Sequence, residues 1–403
     1  MDLVNLNSFL KFGYFLDYKN PNITFDFSGI DKEKYKNVTE DELVDIGIKL
    51  WKEAIQKQFK PNEKHVVPLS GGLDSRAILA GLLEFTEAKN IYTYTFGSPG
   101  TLDYDIGNSI AKKVGTNHTK FPLTEHKYTI EEEIDISKRI NHQTILFHHA
   151  PIWKLDEMFT GHKIWSGFLG DTVGGSHTPK VYTNDVDSAK IFFIKNNTYT
   201  NSINLSNCSD LEFHKYLQYD SNCLNKICIE DNINLLNGEI NSVAPYLLIK
   251  DFRYAVPHLE YKYLNFMFSI PECLRLNQNL YNKILFNAFP KLFKLKLKSR
   301  NYSRIQILNR KAINKIKQSF NLVYPYFINP NINYLDFNYA IRNKRDLRKI
   351  IYESIMDLKH RKIVDWIDID EIWKRHINKR ANHADALLVL ASLEIHLKAG
   401  KKI

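Results

Sequence analysis

Cysteines and long apolar runs are scarce in this 403-residue sequence, which excludes several classes of protein. The four cysteines (Cys208, Cys223, Cys228 and Cys273) contain no C-x-x-C pair, which argues against a disulfide scaffold and a cysteine zinc site. The sequence has no uninterrupted run of about 18 apolar residues, the length needed to span a membrane. The N-terminal residues lack the basic and apolar regions of a signal peptide. We therefore expect a cytoplasmic protein with no membrane partner.

The charge balance is basic, but no nucleic-acid motif accompanies it. The net charge is +10, and 44% of the residues are hydrophobic, as in an ordinary globular protein. Much of the positive charge lies in residues 291–310, where we expect a solvated surface that attracts anionic substrates. Because no base-stacking aromatic pattern is present, we expect no nucleic-acid partner.

One short segment carries the strongest chemical signal in the sequence. It reads His65-Val-Val-Pro-Leu-Ser-Gly-Gly-Leu-Asp-Ser-Arg-Ala-Ile-Leu-Ala80, which predicts a buried strand, a glycine turn and a helix. Adjacent glycines allow backbone N–H groups to approach phosphate oxygens, and the following helix adds the positive end of its dipole. The order matches neither the P-loop nor the dinucleotide-binding fingerprint. We therefore predict a phosphate site of a different type.

Strands and helices alternate after this segment, which predicts an α/β fold. A second strand is expected at 91–96, a helix at 104–114 and a third strand at 163–166, each strand ending in a polar or glycine-rich loop. We predict a parallel twisted sheet with helices on both faces and additional C-terminal helices. Ligands of such sheets bind beyond the carboxyl ends of the strands, where these loops fall.

The predicted domain organisation has three parts. Residues 1–40 form an N-terminal extension, 41–180 an ATP-binding α/β core, and 181–403 a helical remainder. A helix is expected to start at Thr39, whose side chain can cap it together with Glu42. Residues 180–245, rich in Asn, Ser and Lys, give no clear pattern.

Several segments together resemble one family. Ser70 to Ser75 resembles the PP-loop of the N-type ATP pyrophosphatases, also called adenine nucleotide alpha hydrolases. The residues from Phe96 to His118, the loop Ser166 to Ser176, and the order of residues from 256 to 298 resemble the synthetase domain of asparagine synthetases. The resemblance implies an ATP-dependent ligase that uses Mg²⁺ and releases AMP and pyrophosphate.

The resemblance also implies roles for individual residues. Leu69 and Phe96 are expected to line the adenosine pocket, while Ser166 and Gly167 close over the nucleotide. The residues expected to hold the pyrophosphate are Ser70, Gly71, Gly72 and Ser75.

Three charged residues carry the implied chemistry. Asp74 and Asp171 are expected to share Mg²⁺ ions, which prefer one or two carboxylates together with phosphate oxygens. Lys298 matches the family lysine that neutralises charge on the α-phosphate, with Lys296 and Lys294 as alternatives.

Other polar residues near these motifs have structural explanations. Asp103 is expected to cap the helix that follows it rather than bind a ligand. His118 is compatible with a structural role. The pair His148-His149 lacks a third ligand at metal spacing, so we assign it no metal.

Two departures from the family pattern leave the product open. Asparagine synthetases begin with a glutaminase domain that has an N-terminal cysteine, whereas Asp2 follows Met1 here and residues 1–30 resemble a remnant of the junction. Phe168 occupies the position where the family has a glutamate suited to accept a proton from the amine. The nitrogen is therefore expected to come from ammonia, a separate glutaminase or an amine substrate.

The sequence thus predicts an ATP-dependent, AMP-forming amide ligase of the asparagine synthetase type. It would adenylate aspartate or another acid, such as a peptide, sugar or small-molecule carboxylate. The alternative is a tRNA-modifying PP-loop enzyme, which also adenylates an oxygen and for which a basic protein is suited. The family blocks after Phe96 and Ser166 argue against that alternative.

Overall fold

The computed structural model describes residues 2–18, 23–183, 185–223, 226–296 and 332–403. Within these ranges five parallel strands form one sheet in the order β3-β2-β1-β4-β5. The strands are β1 (His65–Pro68), β2 (Ile91–Gly97), β3 (Asn117–Pro122), β4 (Lys163–Trp165) and β5 (Arg253–Ala255).

Helices precede, connect and follow the strands. The helices up to residue 233 are α1 (Leu3–Phe12), α2 (Glu40–Gln58), α3 (Asp74–Leu82), α4 (Leu102–Val114), α5 (Ile130–Arg139), α6 (Ile152–Phe159), α7 (Gly170–Gly174), α8 (Val186–Asn196), α9 (Asp210–His214) and α10 (Ile229–Ile233). A π-helix follows over Asn234–Val243. The later helices are α11 (Ala244–Leu247), α12 (Tyr261–Ser269), α13 (Glu272–Arg275), α14 (Asn279–Ala288), α15 (Pro290–Phe293), α16 (Phe337–Asn343), α17 (Arg345–Arg361), α18 (Ile369–Ile377) and α19 (Ala384–Lys398). Short 3₁₀ turns occupy Ala88–Asn90, Ser221–Cys223, Pro257–Leu259 and Leu276–Gln278.

The sheet separates two apolar cores because successive side chains of a strand point to opposite faces. Val66 packs in a core with α1, α5, α6 and the C-terminal helices. Val67, the next residue of β1, packs in a core with α2, α3, α12 and α14. Helices therefore cover both faces, which confirms the predicted α/β class with a parallel sheet.

Local signals account for some elements and miss others. Thr39 caps α2 through a capping box with Glu42, as the sequence predicts. The sequence did not indicate β3, an edge strand whose residues are mostly polar. It also did not indicate β5, which has three residues and lies beyond the stretch predicted for the ATP-binding core.

Among the described residues, every helix is too short or too polar to pass through a lipid bilayer.

Candidate functional site

A cavity of about 470 Å³ opens at the carboxyl ends of β1, β2 and β4. Its size is that of a small-molecule site, and its position is where parallel sheets bind ligands. One part of its wall is polar and contains Ser70, Gly72, Ser75, Asp74, Asp103, Ser166, Gly167, Asp171, Thr172, His177, Glu239 and Asn333. The remaining wall is mostly apolar or aromatic and includes Leu69, Tyr94, Phe96, His149, Ile152, Leu155, Ile164, Tyr246, Ile249, Tyr254 and Tyr334.

Hydrogen bonds hold the loop between β1 and α3 in a tight turn. The Ser75 hydroxyl accepts a bond from the backbone N–H of Ser70 at 3.2 Å, and the two serine hydroxyls lie 3.1 Å apart. The N–H of Gly72 donates to the Ser70 hydroxyl at 3.1 Å. Both serines and Gly72 line the cavity, so the predicted phosphate loop faces it.

Asp103 supports this loop from the neighbouring helix. Its carboxylate accepts a bond from the N–H of Gly71 at 3.0 Å. The prediction that Asp103 caps α4 is wrong, because the N-cap is Thr101 and Asp103 lies in the first turn. The helix starts earlier because the N–H groups of Leu102 and Asp103 donate to the carbonyls of Ile332 and Asn333.

Asp74 begins α3 and lies against the acidic loop. The Tyr281 hydroxyl donates a hydrogen bond to its Oδ1 at 2.8 Å. Burial raises the pKa of Asp74 well above its usual value, and the negative charge of Asp171 raises it further. Two carboxylates arranged in this way are stabilised by a cation between them.

The acidic loop between β4 and α7 approaches Asp74 through its glycines. A Cβ atom on Gly170 would overlap the carboxyl group of Asp74, and one on Gly167 would lie 3.1 Å from the Asp74 Cβ. Leu169 has a positive φ of 67°, which turns the chain into α7. Asp171 follows in the first turn of α7, where its Oδ1 accepts a bond from Gln278 Nε2 at 3.1 Å.

Phe168, at the position of the family glutamate, does not face the cavity. Its side chain is 0% exposed and packs in the core with α2 and α12. A carboxylate at this part of the wall therefore has to come from another element.

Glu239, in the π-helix, supplies a carboxylate to the same cavity. The hydroxyl of Thr172, the residue after Asp171, donates a hydrogen bond to the Oε1 of Glu239 at 2.5 Å. Burial raises the pKa of Glu239, and the charge of Asp171 contributes to the increase. Sequence reasoning missed this residue because a glutamate in an Asn-rich segment has no local signature. π-Helical turns often occur at functional sites, but sequence periodicity does not reveal them.

A buried arginine connects the acidic loop to the segment that carries Glu239. The Arg275 guanidinium pairs with Asp231 of α10 at 2.9 Å, and both side chains are 1% exposed. It also donates to the carbonyl oxygen of Thr172 at 3.0 Å. Asp231 precedes the π-helix in the chain, so this ion pair ties together the two acidic parts of the site.

Of the other residues that the sequence analysis named, some line the cavity and others do not. Leu69 and Phe96 line it, but Gly71 does not. Lys298 lies outside the described residues, and the alternatives Lys296 and Lys294 do not line the cavity. His118 has a structural environment, since its ring nitrogens pair with Thr93 at 2.8 Å and Asn108 at 2.7 Å.

The donor set fits magnesium and phosphate better than a metal held by protein alone. Within the described ranges, no three His, Cys, Asp or Glu side chains form a metal-binding group. The wall residues Asp74 and Asp171 are two carboxylates beside a glycine loop at the start of a helix. Mg²⁺ is bound in this way when substrate phosphates complete its coordination.

A parallel α/β sheet with this loop and a second acidic loop is the arrangement expected of a PP-loop type domain. The family model of asparagine synthase matches residues 49–141. Over this stretch, which includes the PP-loop and the block after Phe96, the chain is similar to that family. The match supports an ATP-dependent carbon–nitrogen ligase of the asparagine synthase type. A comparison with curated proteins gives no match.

Proposed function

We propose that this chain is an AMP-forming amide ligase, which adenylates a substrate carboxylate and transfers the acyl group to ammonia or an amine. The observation that carries the proposal is the pair Asp74 and Asp171 beside the glycine loop in one cavity of an asparagine synthase-type domain.

Each wall of the cavity has a role in this reaction. Ser70, Gly72 and Ser75 bind the pyrophosphate part of ATP, while Gly71, whose N–H donates to Asp103, holds the loop in position. Asp74 and Asp171 would hold Mg²⁺, which neutralises charge on the phosphates when bound. The adenosine part is bound by Leu69, Phe96, Ser166 and Gly167.

The first step transfers AMP to the acid. A carboxylate oxygen of the substrate attacks the α-phosphorus of ATP, the bond to the β-phosphate oxygen breaks, and pyrophosphate leaves. Positive charge near the leaving pyrophosphate lowers the barrier. Lys298 remains our candidate for that charge.

The second step forms the amide. The nitrogen of ammonia or an amine attacks the acyl carbon, the acyl–oxygen bond breaks, and AMP leaves. The attacking nitrogen has to lose a proton, and we assign its acceptance to the Glu239 carboxylate. The support is that Glu239 is 5% exposed, lines the cavity and is oriented by the Thr172 hydroxyl. Burial raises its pKa, which makes it a stronger proton acceptor once it is ionised.

Adenylation followed by amide formation sets the classes of acid and of nitrogen source that we propose. The acid is aspartate or another small-molecule, peptide or sugar carboxylate. The nitrogen comes from free ammonia, from a separate glutaminase or from an amine substrate.

ATP–pyrophosphate exchange tests the proposal directly. We expect Asp74→Asn and Asp171→Asn each to reduce exchange to background, because the amide keeps the shape of the side chain but removes the charge that holds Mg²⁺. The matched control is Asp187→Asn, whose side chain is 80% exposed, and it should exchange like the wild type. Exchange at the wild-type rate in either site variant would contradict the metal assignment.

A further inference from the structure

Two adjacent histidines before α6 differ in their hydrogen bonds. The ring of His148 pairs with the hydroxyl of Tyr334 on one side and with that of Tyr199 on the other, at 3.1 Å. His149 is only 7% exposed, and neither of its ring nitrogens has a partner within the part of the chain that the structure describes. Since His149 lines the cavity, it presents unused hydrogen-bonding capacity to a ligand.

Packing fixes the position of this imidazole. Its ring lies against that of Tyr246, with centroids 5.1 Å apart and an interplanar angle of 41°. The Tyr246 hydroxyl donates to the backbone carbonyl of His148 at 2.6 Å, which holds the peptide that carries His149. A buried polar group without a partner destabilises a folded protein, so its presence in a cavity wall points to a bound group.

The charge state of His149 limits what that group can be. Burial lowers the pKa of His149 to about 3, and the neighbouring His148 contributes to the decrease. The ring is therefore neutral near neutral pH, with one N–H donor and one acceptor nitrogen. Such a ring forms hydrogen bonds with a hydroxyl or amide group, but it carries no positive charge to neutralise a carboxylate.

The surrounding wall favours a ligand without further negative charge. Tyr94, Ile164 and Tyr254 line the cavity from the sheet, and Ile152 and Leu155 line it from α6. Four carboxylates line the cavity, and its described wall contains no lysine or arginine. A second carboxylate on the substrate would therefore find no cationic side chain among these residues, which disfavours acidic molecules.

We propose that His149 hydrogen-bonds an uncharged polar group on the body of the carboxylate substrate. The enzyme then activates a monocarboxylate with a neutral, hydroxyl-bearing body, such as a sugar acid, in preference to aspartate. This inference rests on the proposed function, because it describes the acid that the ligase adenylates. His149 is a specificity-determining residue for that acid.

A panel of acids in ATP–pyrophosphate exchange tests the substrate class. The probes are D-glucuronate, D-galacturonate and D-gluconate against L-aspartate and succinate. We expect kcat/KM for the best sugar acid to exceed that for aspartate by about tenfold or more. Preference for aspartate or succinate would overturn this inference and leave the ligase assignment standing. Exchange with none of the acids would count against the proposed function instead.

Two variants of His149 test the residue itself, with and without substrate. In the absence of ligands we expect His149→Leu to raise Tm by about 2 °C, because it removes unpaired polar atoms. A histidine with a purely structural role would give the opposite sign, so a fall in Tm would overturn the assignment of a ligand group to His149.

Steady-state kinetics show whether His149 contacts the acid or the nucleotide. We expect His149→Leu to raise KM for the best acid about tenfold while KM for ATP stays unchanged, and His149→Asn to recover part of the loss. His360→Asn, at an exposed position in α17, serves as the control. An equal rise in KM for ATP would assign His149 to the nucleotide and overturn the proposal.

Discussion

Asp74 and Glu239 illustrate how one charge affects several carboxyl groups in the cavity. Burial raises the pKa of both, and the charge of Asp171 raises each of them further. A cation bound at Asp171 offsets that charge, so it would lower the pKa of Glu239 as well. We therefore expect metal binding and ionisation of the proposed proton acceptor to favour each other.

Replacement of Glu239 separates the two steps of the reaction. We expect Glu239→Gln to keep ATP–pyrophosphate exchange while amide formation falls by about 10²- to 10⁴-fold, the usual contribution of a general base. In the wild type, amide formation should fall as the pH drops below the raised pKa of Glu239, because a protonated carboxyl cannot accept the proton. The variant should lose that dependence.

Single-turnover measurements of amide formation across pH check this expectation. Glu131→Gln, an exposed position at the start of α5, is the control. A Glu239→Gln enzyme that forms amide at the wild-type rate would exclude Glu239 as the acceptor.

Residues close to the phosphate loop could be predicted from sequence, whereas distant ones could not. Ser70, Gly72 and Asp74 stand in one short motif whose order predicts phosphate binding. Glu239 and His149 enter the cavity through tertiary packing from segments with no motif of their own. Asp103 was misjudged because its partner, the N–H of Gly71, lies 32 positions away in the chain.

At the scale of elements, α7 and its preceding loop position Asp171, one of the two proposed metal ligands, relative to Asp74, the other. The backbone at Gly170 approaches Asp74 so closely that no side chain fits between them. Arg275 then fixes the other side of α7 through the Thr172 carbonyl. The acidic loop is therefore positioned from both sides.

A methyl group on this loop should disturb the metal site and leave the fold intact. We expect Gly170→Ala to displace the Asp74 carboxylate and to lower ATP–pyrophosphate exchange at least about tenfold, with little change in far-UV circular dichroism. The control is Gly161→Ala, where a Cβ meets nothing within 4 Å although φ is +79°. That variant carries backbone strain without the contact, so it should lose some stability and keep its exchange activity. Normal exchange in Gly170→Ala would mean that the loop is not constrained by Asp74.

The elements that sequence predicted best were those with strong local signals. The capping box at Thr39 and the apolar residues of β1 indicate their structures directly. The edge strand β3 and the three-residue β5 are defined by pairing with their neighbours, so short-range pattern does not reveal them.

Across the whole molecule, burial keeps many histidines neutral. Burial lowers the pKa of seven of them to about 3 or 4, well below the usual value of about 6.5. These are His118, His126, His148, His149, His258, His376 and His396. In the unfolded chain each would bind a proton at higher pH. Acid therefore favours unfolding.

We expect the free energy of unfolding to fall as the pH decreases from about 6.5 towards 4.5, by up to about 1.4 kcal/mol per pH unit for each histidine. Glu133 acts in the opposite sense, because burial raises its pKa to about 8 and the folded state then takes up a proton earlier. Burial raises the pKa of Asp74, Glu132 and Glu239 as well, and these act in the same sense as Glu133. Four carboxyls offset only part of the effect of seven histidines. Urea unfolding at a series of pH values measures the slope, and His396→Gln should reduce it while His360→Asn does not. A stability that is constant or rises in acid would contradict this account.

The hydrogen bond between the Thr172 hydroxyl and Glu239 bears on how the product of the proposed ligase can change during evolution. The groups proposed to bind ATP come from residues 69–75, 96 and 166–171, whereas the proposed proton acceptor comes from 234–243. The two sets meet through the side chain at 172 and the Arg275–Asp231 pair. If the proposed function holds, substitutions in residues 234–243 that keep the Thr172–Glu239 bond would alter the choice of nucleophile while nucleotide activation is preserved, which would give new amide products a gradual evolutionary route.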